Sequence, residues 1–370
     1  MTAGPGPGSW ADRLPTFPWD LLAEYARCAA GHPGGLVDLS IGAPVDPVPK
    51  LVRRALAAGS ATPGYPATAG TAALREAVAR WLTDRVGVRG IEPDAVLPTI
   101  GSKELISLLP FLLGARPGDR VLLPSLAYPT YDLGARLAGC QPVRCDEPLA
   151  DPTGVALVWL NSPSNPTGRV LSVDELRGWV DWGRRHGVPV ANDECYLELG
   201  WEAEPRSLLH PDVCGADHAG LLAVHSLSKR SNLAGYRAGF VAGDRRLVAG
   251  LLEVRRHIGL IVPAPVQAAM CAALADAGHV REQRARYAAR RAVLRPALVE
   301  AGFTVEHSEA GLYLWATRGE DSWESVGWLA DRGILAAPGT FYGEAGHRHV
   351  RLALTATDAH ITAAAARLSG

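Results

Sequence analysis

Neither sign of charge is in excess: 37 Lys and Arg stand against 38 Asp and Glu, for a net charge of −1, and the two signs are interspersed. That pattern builds no basic stripe for nucleic acid and no patch for a membrane surface. Long apolar runs are also missing; none approaches the ~20 residues that a membrane-spanning helix needs. Met1 to Ser9 is rich in Gly and Pro and has no apolar signal core. The expectation is a cytoplasmic protein. No Cys-x-x-Cys pair occurs. The six cysteines (Cys28, Cys140, Cys145, Cys195, Cys214, Cys271) are scattered. They read as free thiols in a reducing compartment, with neither a disulfide frame nor a zinc site. The 11 histidines show no metal-ligand spacing, and no segment repeats.

What is present is a long chain with a regular alternation. At 370 residues it exceeds one typical core, so two domains are expected. The apolar runs Val96–Ile100, Val121–Pro124, Val155–Leu160, Val188–Ala191 and Gly220–Val224 read as buried strands. Helical patterns lie between them, such as Thr71–Arg85, Leu105–Leu113 and Val173–His186. Strand and helix in alternation mean an α/β fold with a mostly parallel sheet and crossover helices. Residues 50–262 would form this large domain. Residues 263–370 read as α+β: one long or broken helix over Pro263–Ala301, then short strands and two helices. The stretch 15–49 would pack with them as a smaller domain, and 1–14 would be a flexible tail.

Polar clusters at Gly101, Tyr128, Asn165, Asp193 and Lys229 all fall just after strand segments. Parallel α/β sheets bind ligands at the carboxyl ends of their strands. The stretch Ser226-Leu227-Ser228-Lys229, with Gly235-Tyr236-Arg237-Ala238-Gly239 after it, combines hydroxyls, a guanidinium and glycines. Those are the groups a phosphate needs. A lysine beside a phosphate points to pyridoxal phosphate, although a solvated lysine is the alternative for this stretch alone. The turn Gly101-Ser102-Lys103-Glu104, between a strand and a helix, also suits a phosphate.

Asn165 to Asp193 is 28 positions, Asp193 to Tyr196 is 3, Asp193 to Lys229 is 36 and Lys229 to Arg237 is 8. This order and spacing resembles the fold-type I pyridoxal-phosphate enzymes of the class I/II aminotransferase family, from about residue 15 onward. The resemblance implies the cofactor pyridoxal 5′-phosphate. It implies that Lys229 bonds the cofactor aldehyde and later moves the substrate α-proton. It sets Asp193 against the pyridine nitrogen, Tyr196 and Asn165 at the ring oxygen, and Tyr128 on the ring face. Gly101, Ser102, Lys103 (through its backbone), Ser226 and Arg237 would hold the phosphate. Arg351, helped by Asn165 and the backbone at Gly42, would bind the substrate α-carboxylate. Tyr65 matches a residue that crosses to the phosphate of a partner subunit, which implies a homodimer with shared active sites. The Asn165–Pro166 peptide should be cis, because Asn165 must face the ring as the chain enters a Pro-Thr-Gly turn.

The stretches LPTIGSKELISLLP, LAYPTYDLGARLAG, LNSPSNPTGRVL and AVHSLSKRSNLAGYRAGF resemble a narrower group, the succinyldiaminopimelate aminotransferases of actinobacteria. That implies amino transfer from N-succinyl-LL-2,6-diaminopimelate to 2-oxoglutarate, in lysine and diaminopimelate synthesis. Lys103 and Glu104 would then be candidates to face the substrate. Arg230 stands where a small residue is expected, which adds charge near the phosphate. Aminotransferases of other amino acids, or β-lyases on the same scaffold, would share these cofactor residues. A pyridoxal-phosphate-sensing regulator would need a DNA-binding domain, and no basic helix-turn-helix precedes residue 15.

Overall fold

The computed structural model describes residues 14–369. The expected tail, except for Leu14, lies outside the described residues. Strand β1 (Val37–Asp38) follows the first α-helix, Ala23–Ala30. Seven strands then build the large sheet: β2 (Val96–Ile100), β3 (Arg120–Leu123), β4 (Gln141–Arg144), β5 (Val155–Asn161), β6 (Val190–Asp193), β7 (Leu221–Ser226) and β8 (Ala238–Gly243). Their spatial order is β2-β8-β7-β6-β5-β3-β4. All neighbours run parallel except β8, which is antiparallel to β2 and to β7. The fold is therefore α/β with a mostly parallel sheet. Strand β8 is not among the apolar runs that read as strands in the sequence. Its two flanking strands cover its backbone.

The continuous apolar runs follow from burial on both faces. Leu157, Trp159, Ala191, Leu222 and Val224 pack on one face of the sheet, and Val158, Leu160, Val190, Leu221 and Ala223 on the other. Helix ends carry ordinary caps. Thr71 Oγ1 accepts the Leu74 N–H, and Ser172 with Glu175 forms a reciprocal capping box. The pattern Thr71–Arg85 becomes a helix at Ala72–Trp81 that widens into a π turn at Leu82–Val86.

The pattern Pro263–Ala301 resolves into two helices, Ala264–Ala275 and Gly278–Glu300, parted at the extended residue Asp276. After them come β9 (Thr304–Glu306), β10 (Tyr313–Thr317), β11 (Ile334–Leu335), β12 (Ala337–Pro338) and β13 (Val350–Ala353). Strands β12-β13-β10-β9 form an antiparallel sheet, and β11 pairs with β1. A separate core joins Leu22, Val37 and Leu39 to Leu294, Leu314, Leu352 and Leu368.

Candidate active site

Register brings the site together. Asn161, Asp193 and Val224 are paired across β5, β6 and β7, and Ser226 is paired with Gly239 on β8. The carboxyl ends of β2, β5, β6 and β7 thus form one edge. A cavity of about 300 Å³ opens there. Its lining includes Ser102, Lys103, Tyr128, Asn165, Asp193, Tyr196, Ser226, Lys229, Arg237 and Arg351, so residues distant in sequence share one space.

Three groups of donors and charges face this space. The first is at the start of the helix Gly101–Leu112. Gly101 has φ 71°, and a Cβ on it would collide with the Arg237 guanidinium. A Cβ on Gly239 would press on Ser102 N at 3.0 Å. Bare backbone N–H groups, Ser102, Ser226 and Arg237 therefore crowd one corner at the positive end of a helix. Arg237 itself sits at φ 55°, a region few non-glycine residues adopt, and this turn carries its side chain to that corner.

The second group is the floor. Asp193 is buried; Oδ1 accepts the Cys195 N–H at 3.1 Å and Oδ2 accepts the Tyr131 hydroxyl at 2.8 Å. Burial pushes its carboxyl above the usual range, while these donors and the Lys229 ammonium pull it back. Lys229 lies in the turn Leu227–Arg230, which Ser226 caps by accepting the Ser228 N–H at 3.1 Å. Its amine donates to the Gly42 carbonyl. Asn161 braces the edge: it donates to the Asp193 carbonyl at 2.9 Å and accepts the Asn165 N–H at 2.7 Å. The Ser162–Pro163 and Asn165–Pro166 peptides are both cis, the second as expected.

The third group is an arginine clamp. Arg351 is buried, donates to Asn165 Oδ1 at 2.9 Å and to the Ser40 carbonyl at 2.6 Å, and keeps Nε unpartnered. Its guanidinium lies over the Tyr313 ring at 4.0 Å and the Tyr342 ring at 4.9 Å. Tyr313 meets Tyr196 hydroxyl to hydroxyl at 3.2 Å. Burial first, then this neighbour, raises the Tyr196 phenol well above its ordinary value.

Three expected residues are elsewhere. Glu104 does not line the cavity. Its carboxylate accepts Arg255 Nη1 at 2.6 Å, Arg255 Nη2 at 3.1 Å and the Ile100 N–H at 3.1 Å. The expectation that it faces substrate is corrected: it braces the helix start against a buried arginine. Arg230 does not approach the phosphate corner either. It is buried against Glu198 and lies 5.2 Å over the Trp81 ring. Tyr65 is 99% exposed in the single chain and outside the cavity. Tyr131 and Tyr313 escape a reading of the sequence, because an aromatic in a helix or strand reads as core. Tyr131 stands three residues after Tyr128, one helical turn away, and that spacing is the signal that could have found it.

An amine, a buried carboxylate, a phosphate-sized corner of donors and a carboxylate-binding guanidinium suit amino-group chemistry on an amino acid. Residues 35–368 match the family Aminotransferase class I and II. The chain belongs to the class I and II aminotransferases. These enzymes depend on pyridoxal 5′-phosphate and act on small molecules. A probable aminotransferase of Mycobacterium tuberculosis is 62% identical over 100% of this chain and 88% of its own length. The 4-dedimethylamino-4-oxo-anhydrotetracycline transaminase OxyQ of Streptomyces rimosus is 61% identical over 96% of this chain and 99% of its own. A solved probable N-succinyldiaminopimelate aminotransferase of Thermus thermophilus is similar at TM-score 0.84 and 31% identity, covering 95% of this chain and 99% of that one. The cavity fits the cofactor of this family. The cradle at Gly101 and Gly239 leaves room where a Cβ would intrude, and an acid and an amine lie within reach of the same space.

Proposed function

We propose that this aminotransferase moves the amino group of N-succinyl-LL-2,6-diaminopimelate to 2-oxoglutarate, giving N-succinyl-2-amino-6-oxopimelate and glutamate, in the cytoplasm and as a homodimer. The observation that carries the catalytic part is the convergence of Lys229, Asp193, Arg237 and Arg351 on one cavity. The likeness of the stretches around Gly101, Tyr128, Asn165 and Lys229 to succinyldiaminopimelate aminotransferases supports the substrate, as does the name of the Thermus relative.

Bound pyridoxal phosphate supplies an electron sink for the substrate α-carbon. The chain supplies the rest. Ser102, Ser226, Arg237 and the N–H groups at Gly101 and Lys103 hold the phosphate. Asp193 holds a proton at the ring nitrogen, and Tyr196 and Asn165 donate to the ring oxygen. Tyr128 covers the ring face. Lys229 would bond the cofactor aldehyde, and once freed its amine would take the proton from the substrate α-carbon and carry it to the former aldehyde carbon. Arg351 fixes the α-carboxylate and so sets which bond at that carbon lies in line for reaction. Tyr65, exposed in one chain, reaches the phosphate of the partner subunit.

A second reading has a specific observation in its favour. OxyQ, at 61% identity, is named for a polycyclic substrate, and the cavity mouth here carries Phe17 and Trp19. The test is an assay of the purified protein with succinyldiaminopimelate and 2-oxoglutarate, scored as glutamate formed. Rapid glutamate formation supports the first reading. None with that donor, but amination of an anhydrotetracycline ketone, supports the second. Pyruvate and ammonia released from a β-substituted alanine such as cystathionine, without any 2-oxo acceptor, would identify a β-lyase.

A further inference from the structure

The helix Gly278–Glu300 ends in the smaller core, where Leu294 and Leu298 pack with Leu39 and Leu352. Its first half carries a different face. His279, Gln283 and Tyr287 stand four residues apart and so lie one above the other, with Arg290 a turn further on. All four are buried. A buried helix face is normally apolar, because a polar group taken from water costs free energy unless it is hydrogen-bonded. Here all four are bonded, and each reaches one of two targets.

The first target is the turn that carries Lys229. His279 Nε2 meets Ser231 Oγ at 2.8 Å, Gln283 Oε1 accepts Asn232 Nδ2 at 2.8 Å, and the Tyr287 hydroxyl donates to the Lys229 carbonyl at 3.3 Å. The second target is Asp46. Arg290 donates to its two oxygens at 2.6 and 2.8 Å, and Gln283 Nε2 donates to Oδ2 at 2.7 Å. Asp46 ends a loop that starts at Ser40, whose carbonyl accepts Arg351, and passes through Gly42, whose carbonyl accepts the Lys229 amine. Of the four helix residues, Gln283 bonds both targets, with its acceptor on one and its donor on the other.

We propose that Gln283 is a positioning residue for amino transfer: it ties the Lys229 turn and the Ser40–Asp46 loop to one helix, and so sets the amine against the clamp that holds the substrate carboxylate. Gln283 is not part of the cavity lining and acts through Asn232 and Asp46. An apolar side chain of the same size would fill the space and let the two segments slide. Two directional bonds of ordinary length do not. The amine must reach the α-carbon of a substrate fixed by Arg351, and a misplacement of about 1 Å can cost on the order of a hundredfold in rate. This inference rests on the reading of Lys229 as the lysine that bonds the cofactor, and it does not depend on which amino acid the enzyme uses.

The test uses the cofactor-loaded enzyme and two ways of cutting the bridge. Gln283→Glu keeps the size and the acceptor toward Asn232 but sets a second carboxylate against Asp46. Asn232→Gly cuts the other end; Asn232 has φ 57°, which glycine adopts freely, so this variant should fold. Each should lower kcat about tenfold. The KM of the amino donor should change little, because Arg351 keeps its bond to Asn165. Each should also move the pH at which the visible absorbance of the bound cofactor titrates, by about half a unit or more. Adding Asp46→Asn to Gln283→Glu supplies a donor opposite the new carboxylate and should bring both readouts back toward wild type. A lower melting temperature with kcat and the absorbance titration unmoved would make Gln283 a structural residue and overturn the proposal. A double variant no better than Gln283→Glu alone would do so as well. Borohydride labelling of a lysine other than Lys229 would overturn the reading on which the bridge rests, whereas labelling of Lys229 with unmoved readouts overturns the bridge alone.

Discussion

The phenol of Tyr131 donates to Asp193 Oδ2 at 2.8 Å, and both side chains are buried. Tyr131 is held for this by stacking on Trp159, with ring centroids 5.1 Å apart. The bond keeps the carboxylate pointed along one direction and favours its charged form. Tyr131→Phe keeps the stack and removes the donor. A hydrogen bond to a charged group contributes about 1.5–3 kcal/mol. Tyr131→Phe should therefore bind the cofactor about tenfold or more weakly, read as a dissociation constant by reconstituting the apoprotein. An unchanged constant would remove Tyr131 from the site.

Lys229→Ala should abolish turnover and leave the far-ultraviolet circular dichroism intact. The chain has three lysines, Lys50, Lys103 and Lys229, so the covalent attachment point is easily assigned. Borohydride reduction of the loaded enzyme followed by peptide mapping should label the Lys229 peptide. A label on Lys103, the other lysine that lines the cavity, would reverse the roles of the two amines.

Behind the site, Glu194 and His225 face each other at 3.3 Å, both buried. Burial pushes the Glu194 carboxyl up to about 7 and the His225 imidazole down to about 3. The Arg230 charge adds to the second shift. The two have opposite signs in stability. Glu194 binds its proton more tightly when folded, so its contribution is full below its unfolded value and is lost as pH rises to about 7. His225 binds its proton less tightly when folded, so its contribution grows as pH rises from about 3 to its unfolded value. Glu194→Gln removes the first and keeps the second. The stability of wild type relative to Glu194→Gln should thus shrink between pH 5 and 7, by on the order of 1 kcal/mol per pH unit. Urea unfolding at the two pH values measures it, and a gap that widens would contradict the assignment.

Tyr65 is exposed on a loop that precedes the helix Ala72–Trp81. If it completes a partner's phosphate corner, inactive Lys229→Ala and weakened Tyr65→Phe subunits should complement when mixed. Each mixed dimer would then contain one intact site. A fully active monomer in analytical sedimentation would dispose of the shared site.

The strands and the Lys229 turn are legible because strands buried on both faces must read as apolar runs, and because phosphate and amine chemistry restrict residue types. Strand β8 is not, since the glycines of Ala238-Gly-Phe-Val-Ala-Gly243 interrupt its apolar run and pairing on both sides makes it a strand. Glu104 misleads for a similar reason. Its partner Arg255 is 151 positions away, and nothing local shows that the carboxylate is occupied. Arg230 adjoins Lys229 in sequence, yet consecutive residues of a helical turn point in different directions, and Trp81 draws it away from the phosphate.

We propose that Lys103 carries substrate choice. It lines the cavity, is exposed, and its Nζ stands 5.8 Å from the centre of the Phe17 ring at the mouth. A cation there, on a flexible stem, can meet the distal carboxylate of glutamate or the succinyl carboxylate of a longer donor. Lys103→Gln should lower kcat/KM for both by about tenfold, on the order of 1.4 kcal/mol. Alanine, which has no distal carboxylate, should be affected much less. Arg351→Ala should damage all three, because the α-carboxylate is common to them. Glu104→Gln should behave differently again. It weakens the brace on Arg255, whose side chain is 0% exposed, so the melting temperature should fall while the ratio of kcat/KM between succinyldiaminopimelate and alanine stays fixed. If Lys103→Gln left that ratio unchanged, the distal carboxylate would have to be read by another group at the mouth.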